Sequence, residues 1–163
     1  MNAKVGGVPW AVDSLPFMSV PTMICGMDVF HSTALGKKSV LALTASMNQS
    51  ATTYWSMSVT QDEIGQEASN NLQSGMVRAL EAFKKNNGTL PARIIFYRDG
   101  VGEGQVQGIC VPEIEQIKAA LATGGIAQTC KFMYINTCKR VNTRIFGGTI
   151  GRFANPLAGT VID

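Results

Sequence analysis

The sequence predicts a mixed α/β domain, a five-stranded sheet with helices on its faces. Three observations lead there. Short runs rich in β-branched and aromatic residues recur over the first sixty residues, joined by brief polar links. A longer stretch then switches to the three- and four-residue step of a helix. Beyond it, strand-like and helix-like segments alternate, the order that returns strands to one sheet through crossovers. With 45% hydrophobic residues among 163, the chain can bury one core, and 15% charged residues is too few for a disordered segment.

The elements follow in order. Residues 1–20, with Pro9, Pro16 and the Gly6-Gly7 pair, hold no lasting period and read as an opening segment. Residues 22–30 (TMICGMDVF) form an apolar run of strand length, and residues 39–47 and 52–60 follow as an antiparallel meander. From residue 61 to 85, Ile64, Ala68, Leu72, Met76, Leu80 and Phe83 mark one helical face, ended by Asn86-Asn87-Gly88. Residues 93–98 (RIIFYR) are a fourth strand, and the loop DGVGEGQ follows. A second helix is expected at 112–122, with Pro112 in its first turn and Gly124-Gly125 at its stop. Residues 130–137 make the fifth strand. Residues 146–159 read as glycine-rich loop, and 160–163 as the start of another extended piece. In the resulting β-β-β-α-β-α-β order, the first strand can lie beside the fourth and parallel to it, one of several arrangements open to the sheet.

Composition narrows the chemistry. No run approaches the ~18 to 20 apolar residues of a membrane span, so no membrane role is expected. The start lacks the basic-then-apolar order of a secretory signal. Cys25, Cys110, Cys130 and Cys138 form no Cys-x-x-Cys and have no partnered histidine, which suits a reduced, intracellular protein without structural zinc. Fourteen basic residues against eleven acidic give a net charge of +3. The excess concentrates late: Lys131, Lys139, Arg140, Arg144 and Arg152 face a single acid, Asp163, in a glycine-rich tail suited to phosphate.

Two acids stand out. Asp28 sits inside a run that otherwise reads as buried, where an ionised carboxylate needs a cation or a hydrogen-bond network. Asp99 ends an apolar strand and opens a loop with three glycines. If strands one and four adjoin, the two carboxylates meet at one end of the sheet, and oxygen donors of this kind suit Mg²⁺ or Mn²⁺. The alternatives are an Asp28 paired with an arginine or capping a turn, and an Asp99 that serves only the turn before Gly100. Asp62, Glu63 and Glu67 open the long helix, where acids also favour the macrodipole, so residue physics does not single out Glu67. His31, near a strand end, reads as a packed, hydrogen-bonded residue. The strand aromatics Tyr54, Trp55, Phe132 and Tyr134 read as core.

Six motifs spread along the whole chain carry a resemblance. They are NAKVGG (2–7), ICGMDVFH (24–31), QDEIGQE (61–67), RIIFYRDGVGEGQ (93–105), KRVNTRIF (139–146) and NPLAGTVID (155–163). Together they resemble the Piwi domain of the Piwi/Argonaute family, more closely the Piwi clade. The resemblance implies an RNase H-like mixed five-stranded sheet with flanking helices, C-terminally truncated, with residues 1–20 from a Mid–Piwi junction and 21–163 as an incomplete Piwi domain. It implies catalytic roles for Asp28, Glu67 and Asp99, with Asp28 and Asp99 as ligands of Mg²⁺ or Mn²⁺. The family's fourth catalytic residue lies past GTVID, within which this chain stops, so the fragment alone is expected to be inactive. Because the family's first motif continues upstream, the sequence reads as a partial gene.

The resemblance further implies that Lys4 helps hold a guide 5′ phosphate, and that Arg140 and Arg144 contact the guide backbone with Lys139 adding charge beside them. As ordinary chemistry, each of these could equally be a solvated surface cation. The expected partners are a small guide RNA, a target RNA, and upstream PAZ and Mid domains, in the cytoplasm or nucleus. The function expected is guide-directed cleavage of RNA. The runner-up is a guide-binding silencing protein that does not cut, and a third reading is an unrelated RNase H-like nuclease.

Overall fold

The computed structural model describes residues 5–13, 15–31, 38–61, 71–139 and 142–162. Five strands build the main sheet: β1 (Thr22–Phe30), β2 (Val40–Ser46), β3 (Tyr54–Thr60), β4 (Arg93–Asp99) and β5 (Lys131–Thr137). Their order is β3-β2-β1-β4-β5. The meander β1–β2–β3 is antiparallel, while β1 pairs β4 and β4 pairs β5 in parallel. All five strands fall where the sequence places them, and β1 and β4 adjoin.

Two helices, α1 (Leu72–Asn87) and α2 (Val106–Thr123), form the second layer. Leu72, Met76, Ala79, Leu80 and Phe83 make the buried stripe of α1, and Ile109, Ile117, Ala120 and Leu121 that of α2. Both stripes join one core with Met23, Cys25 and Met27 of β1, Leu41 and Leu43 of β2, and Ile94 and Phe96 of β4. Each fully buried Leu, Ile or Phe there contributes about 1.5–3 kcal/mol from lost apolar hydration. Gly75 lets α1 sit close to β2 and β3: a Cβ there would stand 3.0 Å from Leu43 Cδ2. Helix α1 ends at Gly88, whose left-handed φ of 73° turns its N–H onto the Lys84 carbonyl at 2.8 Å.

The sheet carries flanking helices as expected, both described ones on the same face, and two other expectations need correction. The parallel steps β3 to β4 and β4 to β5 move the same way across the sheet, so right-handed crossovers carry α1 and α2 to the same side. Helix α2 starts at Val106, and Pro112 lies inside it. Gly108, whose carbonyl Pro112 leaves without a helical donor, is exposed, as is Pro112, so water can replace that bond. The glycine-rich segment also holds a hairpin, β6 (Gly147–Thr149) with β7 (Arg152–Ala154). Among the described residues, no helix is long and apolar enough to cross a membrane.

Candidate functional site

Strand alternation decides which side chains reach the open face. In β1, Met23, Cys25, Met27 and Val29 are buried against the helices, which turns Ile24, Gly26 and Asp28 to the other side. In β4, Ile94, Phe96 and Arg98 point to the helices, and Ile95, Tyr97 and Asp99 to the open side. The parallel register pairs Met27 with Arg98, and its next step sets Asp28 beside Asp99 on one face. Neighbouring strands run ~4.8 Å apart, so the two carboxylates can share a cation.

Asp28 itself is exposed, contrary to the buried run that the sequence suggests. Ile24 and Gly26 are apolar or small on the uncovered face, and so mimic a strand buried on both sides. The Asp28 Oδ1 accepts the Val29 N–H at 2.9 Å. Around it the face is small and uncharged. Asp28 pairs across to Ala42 and that to Ser58, while Gly26 pairs to Thr44 and that to Ser56. Ala42, Thr44, Ser56 and Ser58 are all exposed.

Asp99 ends β4, where Gly100, at φ 92°, turns the chain as a side-chain-bearing residue would not. Its Oδ2 forms an ion pair with the Lys139 ammonium. Thr137, its partner in β5, approaches Oδ1 at 3.5 Å and donates to the Arg98 carbonyl at 3.0 Å. The hydrogen bond and charge of Lys139 hold the Asp99 carboxyl below the usual carboxylate range, with help from Thr137 and the Gly100 N–H and against partial burial. Beside it runs a groove of about 480 Å³, lined by Gly100, Gly102, Glu103, Lys139, Asn142 and Thr143 among others. A larger groove of about 780 Å³ lies at the far end of the sheet, by residues 11–19 and the β2–β3 turn, away from both acids.

On the helix side of the same strand end, Arg98 and Glu113 are both fully buried. The Arg98 Nε donates to Glu113 Oε2 at 3.1 Å, and the Tyr134 hydroxyl donates to the same oxygen at 2.7 Å. Arg98 Nη1 also donates to the Asp99 carbonyl. Arg98 thus joins the end of β4 to α2 and β5. Sequence reasoning missed this network, although one signal was available. Glu113 lies four residues from both Ile109 and Ile117, on the buried stripe of α2, where a carboxylate needs a cation.

The other expected residues divide into three groups. Arg144 is exposed, its Nη1 donating to the Thr143 carbonyl at 3.0 Å. His31 is hydrogen-bonded, Nδ1 to Ser39 Oγ at 2.8 Å, yet exposed rather than packed. Lys4, Glu67, Arg140 and Asp163 lie outside the described residues. Of the aromatics, Trp55, Phe132 and Tyr134 pack on the core, whereas Tyr54 is exposed. Burial pushes the Cys25 thiol up to about 12 and the Cys130 thiol up to about 11, so neither is a ready nucleophile.

A Piwi domain family matches residues 1–163. The chain belongs to the Piwi domain family. Piwi-like protein 1 of Danio rerio is 41% identical over 163 residues, covering all of this chain and 18% of that protein. The chain therefore spans under a fifth of this relative's length. The C-terminal lobe of a budding yeast Argonaute superposes with a TM-score of 0.71 at 25% identity, over 94% of this chain and 31% of that one. Kluyveromyces polysporus Argonaute with a guide RNA gives 0.66 at 25% identity, over 94% and 18%. The mixed five-stranded sheet is thus the RNase H-like fold of Argonaute Piwi domains, and the resemblance read from the six motifs holds along the whole Piwi chain.

Proposed function

We propose that this Piwi-family chain is the cleavage domain of a small-RNA-guided silencing protein that cuts target RNA. The observation that carries the proposal is the placement of Asp28 and Asp99 side by side on the uncovered face of the sheet. The donor chemistry fits Mg²⁺ or Mn²⁺: two carboxylates on adjoining strands, one of them already seating a protein cation, Lys139. Among the described residues no group of three His, Cys, Asp or Glu gathers, so Glu67 is proposed to complete the set. Asp28 and Asp99 would hold the ions; when bound, these supply charge stabilisation to the attacking and leaving oxygens of a phosphodiester.

The chain's own residues perform the rest. The small, uncharged surface of Ala42, Thr44, Ser56 and Ser58 admits a nucleic-acid backbone close to Asp28 without repelling it. Arg144, with Arg140 and Lys4, would bind guide phosphates, and base pairing between guide and target would choose the sequence. Hydrolysis adds water oxygen to phosphorus and breaks the bond to the 3′ oxygen, leaving a 5′ phosphate and a 3′ hydroxyl. Support for RNA partners comes from relatives such as the Kluyveromyces Argonaute solved with a guide RNA. PAZ and Mid domains upstream, and a cytoplasmic or nuclear setting, belong to the same proposal.

A non-cleaving guide-binding protein is the second reading. The Lys139–Asp99 pair favours it, because an acid neutralised by lysine can be purely structural. The deciding experiment loads the full-length gene product with guide RNA and adds matched target RNA and Mg²⁺. Cutting that falls by at least ~10²-fold in both Asp28→Ala and Asp99→Ala supports the nuclease. Guide binding without any cut by the unaltered protein gives the second reading.

A further inference from the structure

Lys139 stands just beyond β5, beside the basic positions that the motif KRVNTRIF assigns to RNA, yet its ammonium rests on Asp99. The contact is open to water: the side chain of Lys139 is 69% exposed and that of Asp99 32%. Ion pairs this open to water shift an equilibrium only about two- to fivefold. Lys139 also lines the same groove as Asn142 and Thr143, whose amide and hydroxyl can donate to a phosphate, and Gly100, the residue after Asp99, forms part of its wall. A lysine can move between two anions there, because its four-carbon stem swings without any backbone change and its head is a simple point charge.

The geometry points to Lys139 as a built-in counter-cation for Asp99, which holds the carboxylate in the RNA-free chain and leaves it when a nucleic-acid phosphate draws the ammonium into the groove. This rests on the proposed reading of Asp28 and Asp99 as cation ligands. Its consequence is coupling. Lys139 on Asp99 occupies an oxygen a divalent ion needs and adds like charge beside it, so the RNA-free chain binds the ion weakly. RNA that takes Lys139 strengthens ion binding, and by linkage the ion strengthens RNA binding by the same factor. The same lysine thus serves both the acid and the phosphate, at different times. An arginine would serve less well, since its fork grips both carboxylate oxygens and releases them less readily.

The test uses Mn²⁺ as the probe, with binding followed by calorimetry on the full-length gene product. The unaltered chain, Lys139→Met, Lys139→Arg and Asp99→Asn are compared, with and without a short single-stranded RNA. A thermal melt of each variant confirms folding, which the exposed position of Lys139 should leave intact. Lys139→Met is expected to bind Mn²⁺ about two- to fivefold more tightly than the unaltered chain, and Lys139→Arg more weakly. RNA should tighten Mn²⁺ binding to the unaltered chain by a similar factor and leave Lys139→Met unchanged. Equal Mn²⁺ affinity in the unaltered chain and Lys139→Met, with binding still lost in Asp99→Asn, would overturn the counter-cation while keeping the metal reading. Mn²⁺ binding indifferent to Asp99→Asn would remove both.

Discussion

Replacing Glu113 by glutamine takes from the buried Arg98 guanidinium the carboxylate that faces its Nε. Both residues are at 0% exposure, so water cannot take over. Glu113 now accepts from Arg98 Nε at 3.1 and 3.3 Å and from the Tyr134 hydroxyl at 2.7 Å. Removing one member of a buried ion pair typically costs about 3–5 kcal/mol. Glutamine keeps one acceptor oxygen, which puts Glu113→Gln near the lower end, about 3 kcal/mol. With a urea slope of about 2 kcal/mol per molar, the unfolding midpoint should fall by about 1.5 M at unchanged slope. Tyr134→Phe deletes one hydrogen bond to a charged group and should cost about 1.5–3 kcal/mol. The double change Arg98→Met with Glu113→Leu removes both charges and should recover most of the loss, since apolar replacement of a buried pair is often near neutral. Urea denaturation of the four proteins, followed by far-ultraviolet circular dichroism, gives all the numbers. A Glu113→Gln midpoint within about 0.5 M of the unaltered chain, or a double variant worse than the single, would refute the reasoning.

Arg144→Ala should weaken binding of single-stranded RNA and lower the slope of log affinity against log salt by about 0.7, one phosphate contact; fluorescence anisotropy over a salt series reads it, and an unchanged slope would mean Arg144 is only solvated. Asp99 gives a pH dependence. Its folded carboxyl titrates below the ordinary value, chiefly through Lys139, so its contribution is complete above about pH 4, the unfolded value, and is lost as pH falls through the folded value. The gap in stability between the unaltered chain and Asp99→Asn should therefore close in acid. It should not exceed about 1 kcal/mol at neutral pH, because water reaches both partners. A gap that widens on acidification would contradict the sign.

Period made most of the fold legible. Five strand-length runs became five strands, and the three- and four-residue step over Leu72, Met76 and Phe83 became α1, stopped at Gly88 as Asn86-Asn87-Gly88 suggests. Period says less where one residue carries two meanings. Pro112 suits a helix start as well as an exposed position within a helix, and only the solvent on its side of α2 decides between them. Burial is also read poorly one strand at a time. Asp28 looked enclosed because its neighbours on the same face, Ile24 and Gly26, carry no charge, whereas exposure depends on what packs on that face.

The pairings around Asp99 were the least legible, because they join residues distant along the chain: Arg98 to Glu113 and Tyr134, Asp99 to Thr137 and Lys139. Topology explains why they converge. Right-handed crossovers that step the same way across the sheet place both helices on one side, so β4 presents different chemistry to its two faces. Toward the helices it must bury what it points inward, and Arg98 is tolerable there only because α2 supplies Glu113 at the matching position of its buried stripe. Toward the open side it can carry an ionised Asp99, solvated and within reach of a mobile cation. One strand end thus joins a fixed ion pair below to an exchangeable one above, with a single peptide unit between them. A site that must keep its carboxylate in place while changing that carboxylate's partner needs this division: rigidity from the buried pair, and exchange from the exposed one.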